Sequence, residues 1–270
     1  MDKPIRGFSA LGGLPLRVRP VPFEPAYGLL GRVAVRHGHT STSEFISEMA
    51  IGIPNFVHEI ENGRRLVELA LLSGVPETRI RASTLCVDEN GAMFIGSELI
   101  SARVSNRISC GAGRICPGCL RVDLKECAGP MACRPHRRTW WGLTAVTSCP
   151  LHGLLLIDAC PACGVQLARG QASPRFCRCG CDLADQGSVS LEPADLVADR
   201  YLVGRLGGVD RVGHPLLDRM PFQTAALAML RIGRVTLAGA RGLSKKGDNV
   251  EPAMQARMAS LGFRTSESSR

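Results

Sequence analysis

A mainly α-helical fold with small β elements in its middle follows from three observations. Apolar residues recur at helical spacing up to Ser83 and again from Leu196. Between them four short Cys/His pairs succeed one another: Cys116-Pro-Gly-Cys119, Cys149-Pro-Leu-His152, Cys160-Pro-Ala-Cys163 and Cys177-Arg-Cys179-Gly-Cys181. Aromatic residues make up only 4% of the chain against 45% hydrophobic residues overall, so its cores are aliphatic and modest. Paired soft ligands in tight turns point to zinc-ribbon elements, and a structural zinc contributes on the order of 10 kcal/mol to a small domain with little else to bury. At 270 residues the chain has room for two domains or three small ones. The expected organisation is an N-terminal helix-turn-helix-like domain with an extended arm over 1–110, tandem zinc-binding modules over 111–185, C-terminal helices over 186–263 and a disordered tail over 264–270.

Residues 1–22 read as the arm, because Gly12-Gly13 and then Pro15, Pro20 and Pro22 prevent regular structure. Pro25 suits the start of a helix on which Tyr27, Leu30, Val33 and Ala34 share one face, with Arg32 and Arg36 elsewhere. Ser41-Thr42-Ser43-Glu44 is a capping box for a second helix carrying Phe45, Ile46 and Met49, which Gly52 can end. From Leu66 to Ser83, Ala70, Gly74 and Ile80 are spaced as in a helix-turn-helix: a small residue where two helices touch, a Gly in the turn, and a branched apolar residue holding the second helix. Thr78, Arg79 and Arg81 on that second helix are candidate DNA contacts, although an ordinary helical hairpin uses the same small residue and Gly for packing. Leu85, Val87, Met93, Phe94 and Ile95 around Asn90-Gly91 predict a hairpin that joins the helical part to the zinc part. Cys86 and Cys110 lie outside every short pair; the first is expected to be a buried thiol and the second a spare one. After Asp185 helices return at Leu196–Leu206, at Phe222–Ile232 ended by Gly233, and at a third opened by Pro252 that carries Met254, Met258 and Leu261 and stops at Gly262. Gly239–Asn249, with Arg241, Lys245 and Lys246, reads as a basic flexible loop.

Four ligand pairs make two tetrahedral sites, so the expected cofactors are two structural Zn²⁺ ions. Joining neighbouring pairs gives Cys116, Cys119, Cys149 and His152 for one and Cys160, Cys163, Cys177 and Cys179 for the other. Spacing alone leaves two contests open: Cys133-Arg-Pro-His136 competes with Cys149 and His152, and Cys181 competes with Cys179. Full shells argue against an enzyme, since a catalytic zinc keeps one position for water or substrate, and the His-x-Glu of zinc deaminases does not occur. A disulfide framework is disfavoured by the His at a fourth-ligand position and by the lack of a secretory segment. Arg137-Arg138-Thr139-Trp140-Trp141 offers Arg137 and Arg138 to phosphate and an indole to a base. The simpler reading makes an indole the core beside the metal knuckles, with one Trp buried and the arginines outside. Leu154, Leu155, Leu156 and Ile157 read as a short strand setting the two sites back to back.

The formal charge is +9, with the basic excess lying after residue 110, and basic surface attracts polyanions through counterion release. The longest uncharged apolar run, Met220 to Leu230, is too short to span a bilayer, so a cytoplasmic protein with no membrane partner is expected.

The same residues resemble a known family. Cys116-Pro-Gly-Cys119-Leu120, the Arg-rich approach to Trp140, Cys149-Pro-Leu-His152-Gly153 with Leu155, Cys160-Pro-Ala-Cys163-Gly164 with Leu167, and Cys177-Arg-Cys179-Gly180 ending in Asp182-Leu183 resemble the zinc-binding region of the TniQ/TnsD proteins, which select target sites for transposons. Pro22-Phe23-Glu24 and Leu29-Leu30-Gly31-Arg32 resemble the family's N-terminal motif, with Pro25 where Ser is common. The resemblance favours Cys149 and His152 over Cys133 and His136 and leaves Cys181 as an extra. It implies a non-catalytic adaptor in DNA transposition that links target DNA, or a separate DNA-bound targeting complex, to an AAA+ ATPase and a transposase complex. The alternative is a transcriptional regulator built from a helix-turn-helix and a zinc module, which needs only an operator.

Overall fold

The computed structural model describes residues 14–49, 51–104, 108, 113–238 and 250–268. Most of the arm's start, Cys110 and the loop 239–249 lie outside the described residues.

Five short helices open the chain: α1 (Ala26–Arg36), α2 (Thr42–Glu48), α3 (Phe56–Glu61), α4 (Leu66–Ser73) and α5 (Glu77–Ala82). They close on an apolar core that includes Leu29, Leu30, Val33, Phe45, Phe56, Ile60, Leu69 and Ile80. Helix α1 begins directly after an extended Pro25, and its Leu30, Val33 and Ala34 face inward as the spacing predicts. Arg32 is buried with them, because its guanidinium meets the Glu24 carboxylate there at 2.7 Å. Ser41 caps α2 as expected, but the reciprocal bonds of the capping box with Glu44 do not form. Ser41 accepts a bond from the Ser43 amide at 3.2 Å, whereas Glu44 accepts one from the Thr40 hydroxyl. Helices α4 and α5 are joined by a turn in which Gly74 has φ +72°, the left-handed region that a side chain disfavours, and donates its amide to the Ala70 carbonyl at 2.8 Å.

Strands β1 (Leu85–Val87) and β2 (Met93–Ile95) form the hairpin expected around Asn90-Gly91, in the register Leu85 to Ile95. The Asp88 carboxylate holds its turn by accepting from the amides of Asn90 and Ala92. A third strand, β3 (Glu98–Ser101), pairs with β2. Only the Gly96-Ser97 turn separates it from Ile95.

A second core joins β2 and β3 to the Cys/His-rich region and the C-terminal helices, running from Met93 to Phe263. Its elements are α6 (Pro117–Glu126), the antiparallel pair β4 (Ser148–Cys149) and β5 (Leu154–Leu155), α7 (Val197–Arg205), α8 (Phe222–Ala238) and α9 (Pro252–Ser268). The strand expected over Leu154–Ile157 is two residues long, and Ile157 instead bridges Ile115.

Helices α8 and α9 both run past the glycines expected to end them. A Cβ on Gly233 would lie 1.7 Å from the Met258 carbonyl oxygen, and one on Gly262 would lie 1.8 Å from that of Met229. These glycines let two helix backbones touch; they do not stop either helix. As a result residues 264–268, expected in a disordered tail, are helical. Among the described residues no helix is long and apolar enough to cross a membrane.

Candidate metal centres and their surroundings

The first ligand group is assembled from two turns. Cys116 precedes α6, whose first residue is Pro117, and this brings Cys119 back beneath it; Cys149 ends β4, and the turn after it delivers His152. Cys119 Sγ lies 3.5 Å from Cys149 Sγ, while His152 Nδ1 is 3.3 Å from Cys119 Sγ, 3.6 Å from Cys149 Sγ and 3.7 Å from Cys116 Sγ. The second group sits on the two following turns. There Cys160 Sγ is 3.8 Å from Cys179 Sγ and Cys163 Sγ is 3.6 Å from Cys177 Sγ.

These separations have a direct reading. A disulfide needs about 2.05 Å, so none is formed. Ligands about 2.0–2.3 Å from a tetrahedral zinc stand roughly 3.3–3.8 Å from one another, which is the spacing found in both groups. Each set of four can therefore hold a metal ion, and its soft donors suit zinc. Thiols this close cannot ionise together unless a cation lies among them. Hydrogen bonds from Cys119 and Cys149 hold the Cys116 thiol far below its ordinary value, while hydrogen bonding with Cys116 and then Cys149 pushes Cys119 far above.

The two groups differ in exposure. In the first, all three cysteines are buried beside Trp141 and α7, whereas Cys163 and Cys179 in the second face solvent. Gly118 shapes the first: a Cβ there would meet the His152 ring at 2.6 Å.

Both open contests have a spatial answer. Cys133 packs into the N-terminal core, away from the first group, and His136 turns to the Asp123 carboxylate at 3.2 Å. Asp123, Cys127 and His136 lie close enough to be a third ligand group. Both Asp123 oxygens, however, already receive the Arg138 guanidinium at 2.6 Å, a cation where a metal would need a free lone pair. Burial alone would raise the Asp123 carboxyl, but the hydrogen bonds from Arg138 and then His136 bring it below the ordinary value. Cys179, rather than Cys181, completes the second group.

The expected outward placement of Arg137 and Arg138 is corrected: both are buried. Arg137 donates to the carbonyls of Gly113, Ala168 and Gln171, and burial pushes its pKa down. Arg138 is held by Asp123 and lies over the Trp141 ring at 5.2 Å. Both tryptophans are buried, where one was expected. The reason is backbone accounting. Ribbon-like turns leave carbonyls without ladder partners, and an arginine's five fixed donors satisfy several at once. Arg114 donates to Trp141 and Leu143, Arg121 to Ala184, and Arg134 to Leu124 and Gly129. Arg137 and Arg138 thus face inward and are not available to a polyanion, whereas Arg114 and Arg134 are half-buried and Arg121 is exposed.

Sequence reasoning missed Asp199 altogether. From α7 its fully buried carboxylate accepts from the Ser148 amide at 2.7 Å and from the hydroxyls of Ser148 and Thr147, which fixes the strand that presents Cys149. Burial raises its pKa against the pull of those bonds. An acidic residue early in a helix usually serves the helix dipole, and no local signal distinguishes this one.

On α5, Thr78, Arg79 and Arg81 are exposed, and Arg81 pairs with Glu77 one turn back at 2.5 Å. Cys86 is buried as expected. No curated protein matches the chain. The TniQ family model matches residues 15–156, from the described part of the arm through the first ligand group to the end of β5, and ends before Cys160. That is just over half of the sequence, and the chain belongs to the TniQ family.

Proposed function

We propose that this protein is a non-catalytic target-selection adaptor in DNA transposition, linking target DNA or a DNA-bound targeting complex to an AAA+ ATPase and a transposase. The observation that carries the reading is the family match, which joins the N-terminal helices and the first ligand group in one unit. TniQ proteins are associated with transposition and DNA targeting, and as a family are adaptors without catalysis of their own. In this reading two structural Zn²⁺ ions, held by Cys116, Cys119, Cys149 and His152 and by Cys160, Cys163, Cys177 and Cys179, keep the shape of the middle region. Helices α4 and α5 act as a helix-turn-helix, and Thr78, Arg79 and Arg81 meet DNA. The protein works in the cytoplasm.

The test is an affinity pull-down of the tagged protein from cells carrying its native gene neighbourhood, with nuclease treatment so that shared DNA cannot bridge partners. Recovery of an AAA+ ATPase is expected. Its absence, together with tight sequence-specific DNA binding by the protein alone, would favour a transcriptional regulator.

A further inference from the structure

The described arginines of the N-terminal region differ in their pairing. Arg32, Arg64, Arg65 and Arg81 each face a glutamate within 3.3 Å: Glu24, Glu59, Glu68 and Glu77. Arg17, Arg19, Arg79 and Arg103 are exposed and, among the described residues, none of the four has a carboxylate within salt-bridge distance. A charge already matched by a carboxylate has less to gain from a phosphate, and of these four unmatched cations Arg17 lies against the turn between α4 and α5 and Arg79 on α5 itself.

Their placement is fixed by packing. Gly74 turns the chain from α4 into α5, and the space a Cβ would fill there is occupied by the Arg17 guanidinium, with Nη1 at 2.7 Å from that point. Arg17 is held on both sides. Leu14 and Val18 are buried in the N-terminal core, the Leu16 carbonyl is 3.1 Å from His37 Nε2, and Arg32 Nη2 donates to the Arg19 carbonyl at 2.9 Å. The described part of the arm is therefore a pinned strap across the turn, which carries its cation to the approach of α5 at little further cost in chain entropy.

We propose that Arg17, seated on the Gly74 turn, and Arg79, on the helix which that turn opens, together form a contact surface for the phosphate backbone of duplex DNA. Arg81, neutralised by Glu77, is a secondary contributor. This rests on the adaptor's helices meeting DNA directly, and assigns part of that contact to the arm.

The experiment uses the full zinc-loaded chain and a fluorescently labelled random-sequence DNA duplex, with affinity followed by anisotropy from about 50 to 300 mM salt. Arg17→Gln keeps the length of the side chain and removes its charge. It is expected to lower affinity roughly tenfold at the low-salt end and to flatten the slope of log K against log salt by about one, as loss of one phosphate contact does. Arg79→Ala is expected to do the same, Arg81→Ala less, and Arg17→Lys to keep the wild-type slope. Melting temperature and zinc content report whether Arg17→Gln remains folded. An unchanged slope in Arg17→Gln with a flattened one in Arg79→Ala removes the arm from the interface and leaves the helix reading standing. Absence of salt-dependent duplex binding by the wild type overturns both.

Discussion

Glu24 and Arg32, eight residues apart across the start of α1, form a buried ion pair with Oε2 2.7 Å from Nη1. The same guanidinium donates to the Cys133 carbonyl at 2.8 Å and to the Arg19 carbonyl at 2.9 Å, so one side chain ties together the arm, α1 and the Cys/His-rich region. Just before it Phe23 adopts φ +57°, unusual for a bulky residue. Its carbonyl accepts both the amide and the hydroxyl of Thr139 at 2.8 Å, and its ring lies 5.7 Å from that of Trp140. The N-terminal motif is thus a joint between the two cores.

Arg32→Ala is expected to destabilise the zinc-loaded protein by about 3–5 kcal/mol, because it strands a buried carboxylate and leaves two carbonyls without their donor. Glu24→Leu combined with Arg32→Met should cost clearly less than the two single losses added together. Equilibrium urea unfolding measures the wild type, Arg32→Ala, the single variants Glu24→Leu and Arg32→Met and their double, and additive losses would show that the two residues are not coupled.

Arg138→Ala is expected to act on stability rather than on DNA. Removing the guanidinium leaves Asp123 buried beside His136, a loss of about 3–5 kcal/mol. The salt slope of DNA binding, measured where the variant remains folded, should not move. A flattened slope would return Arg138 to the interface.

Metal content should follow the two ligand groups. Wild-type protein is expected to hold two zinc ions per chain, Cys163→Ser to lose the ion of the exposed group, and Cys181→Ser and Cys133→Ser to keep both. Elemental analysis of purified protein decides this, and full zinc content in a soluble Cys163→Ser variant would falsify the ligand assignment.

Gly233→Ala is expected to unseat α9 from α8, since the added Cβ meets the Met258 carbonyl at 1.7 Å and neither backbone can yield without opening the crossing. A loss of about 3 kcal/mol or more is expected, at or beyond the upper end for overpacked cores. A melting temperature equal to that of the wild type would mean that the helices do not cross there.

Elements whose cause is local were legible in the chain. The helix starts at Pro25 and Ser41, the Asn90-Gly91 hairpin and the knuckle pairs each depend on residues a few positions apart, and such spacing survives any change in the rest of the fold. Misreadings came where a residue serves a distant partner. Gly233 and Gly262 look like helix stops because a lone glycine destabilises a helix, yet each is needed by the other's helix. Arg137 and Arg138 look like surface charge because arginine usually is, yet the turns around them present carbonyls and a carboxylate that only buried donors can satisfy.

The sequence by itself determined the type of the chemistry: soft ligands in short pairs, helices on either side, and the motif residues of one family. Tertiary structure alone decided which pairs meet. Ligand spacing is short-range and leaves Cys133, His136 and Cys181 as rivals, whereas the position of each sulfur is set by packing against residues far along the chain. Asp199 shows this most directly, holding the strand that presents Cys149 from a helix some fifty residues away. The same long-range packing separates the arginines that satisfy the interior from Arg17 and Arg79, which face outward.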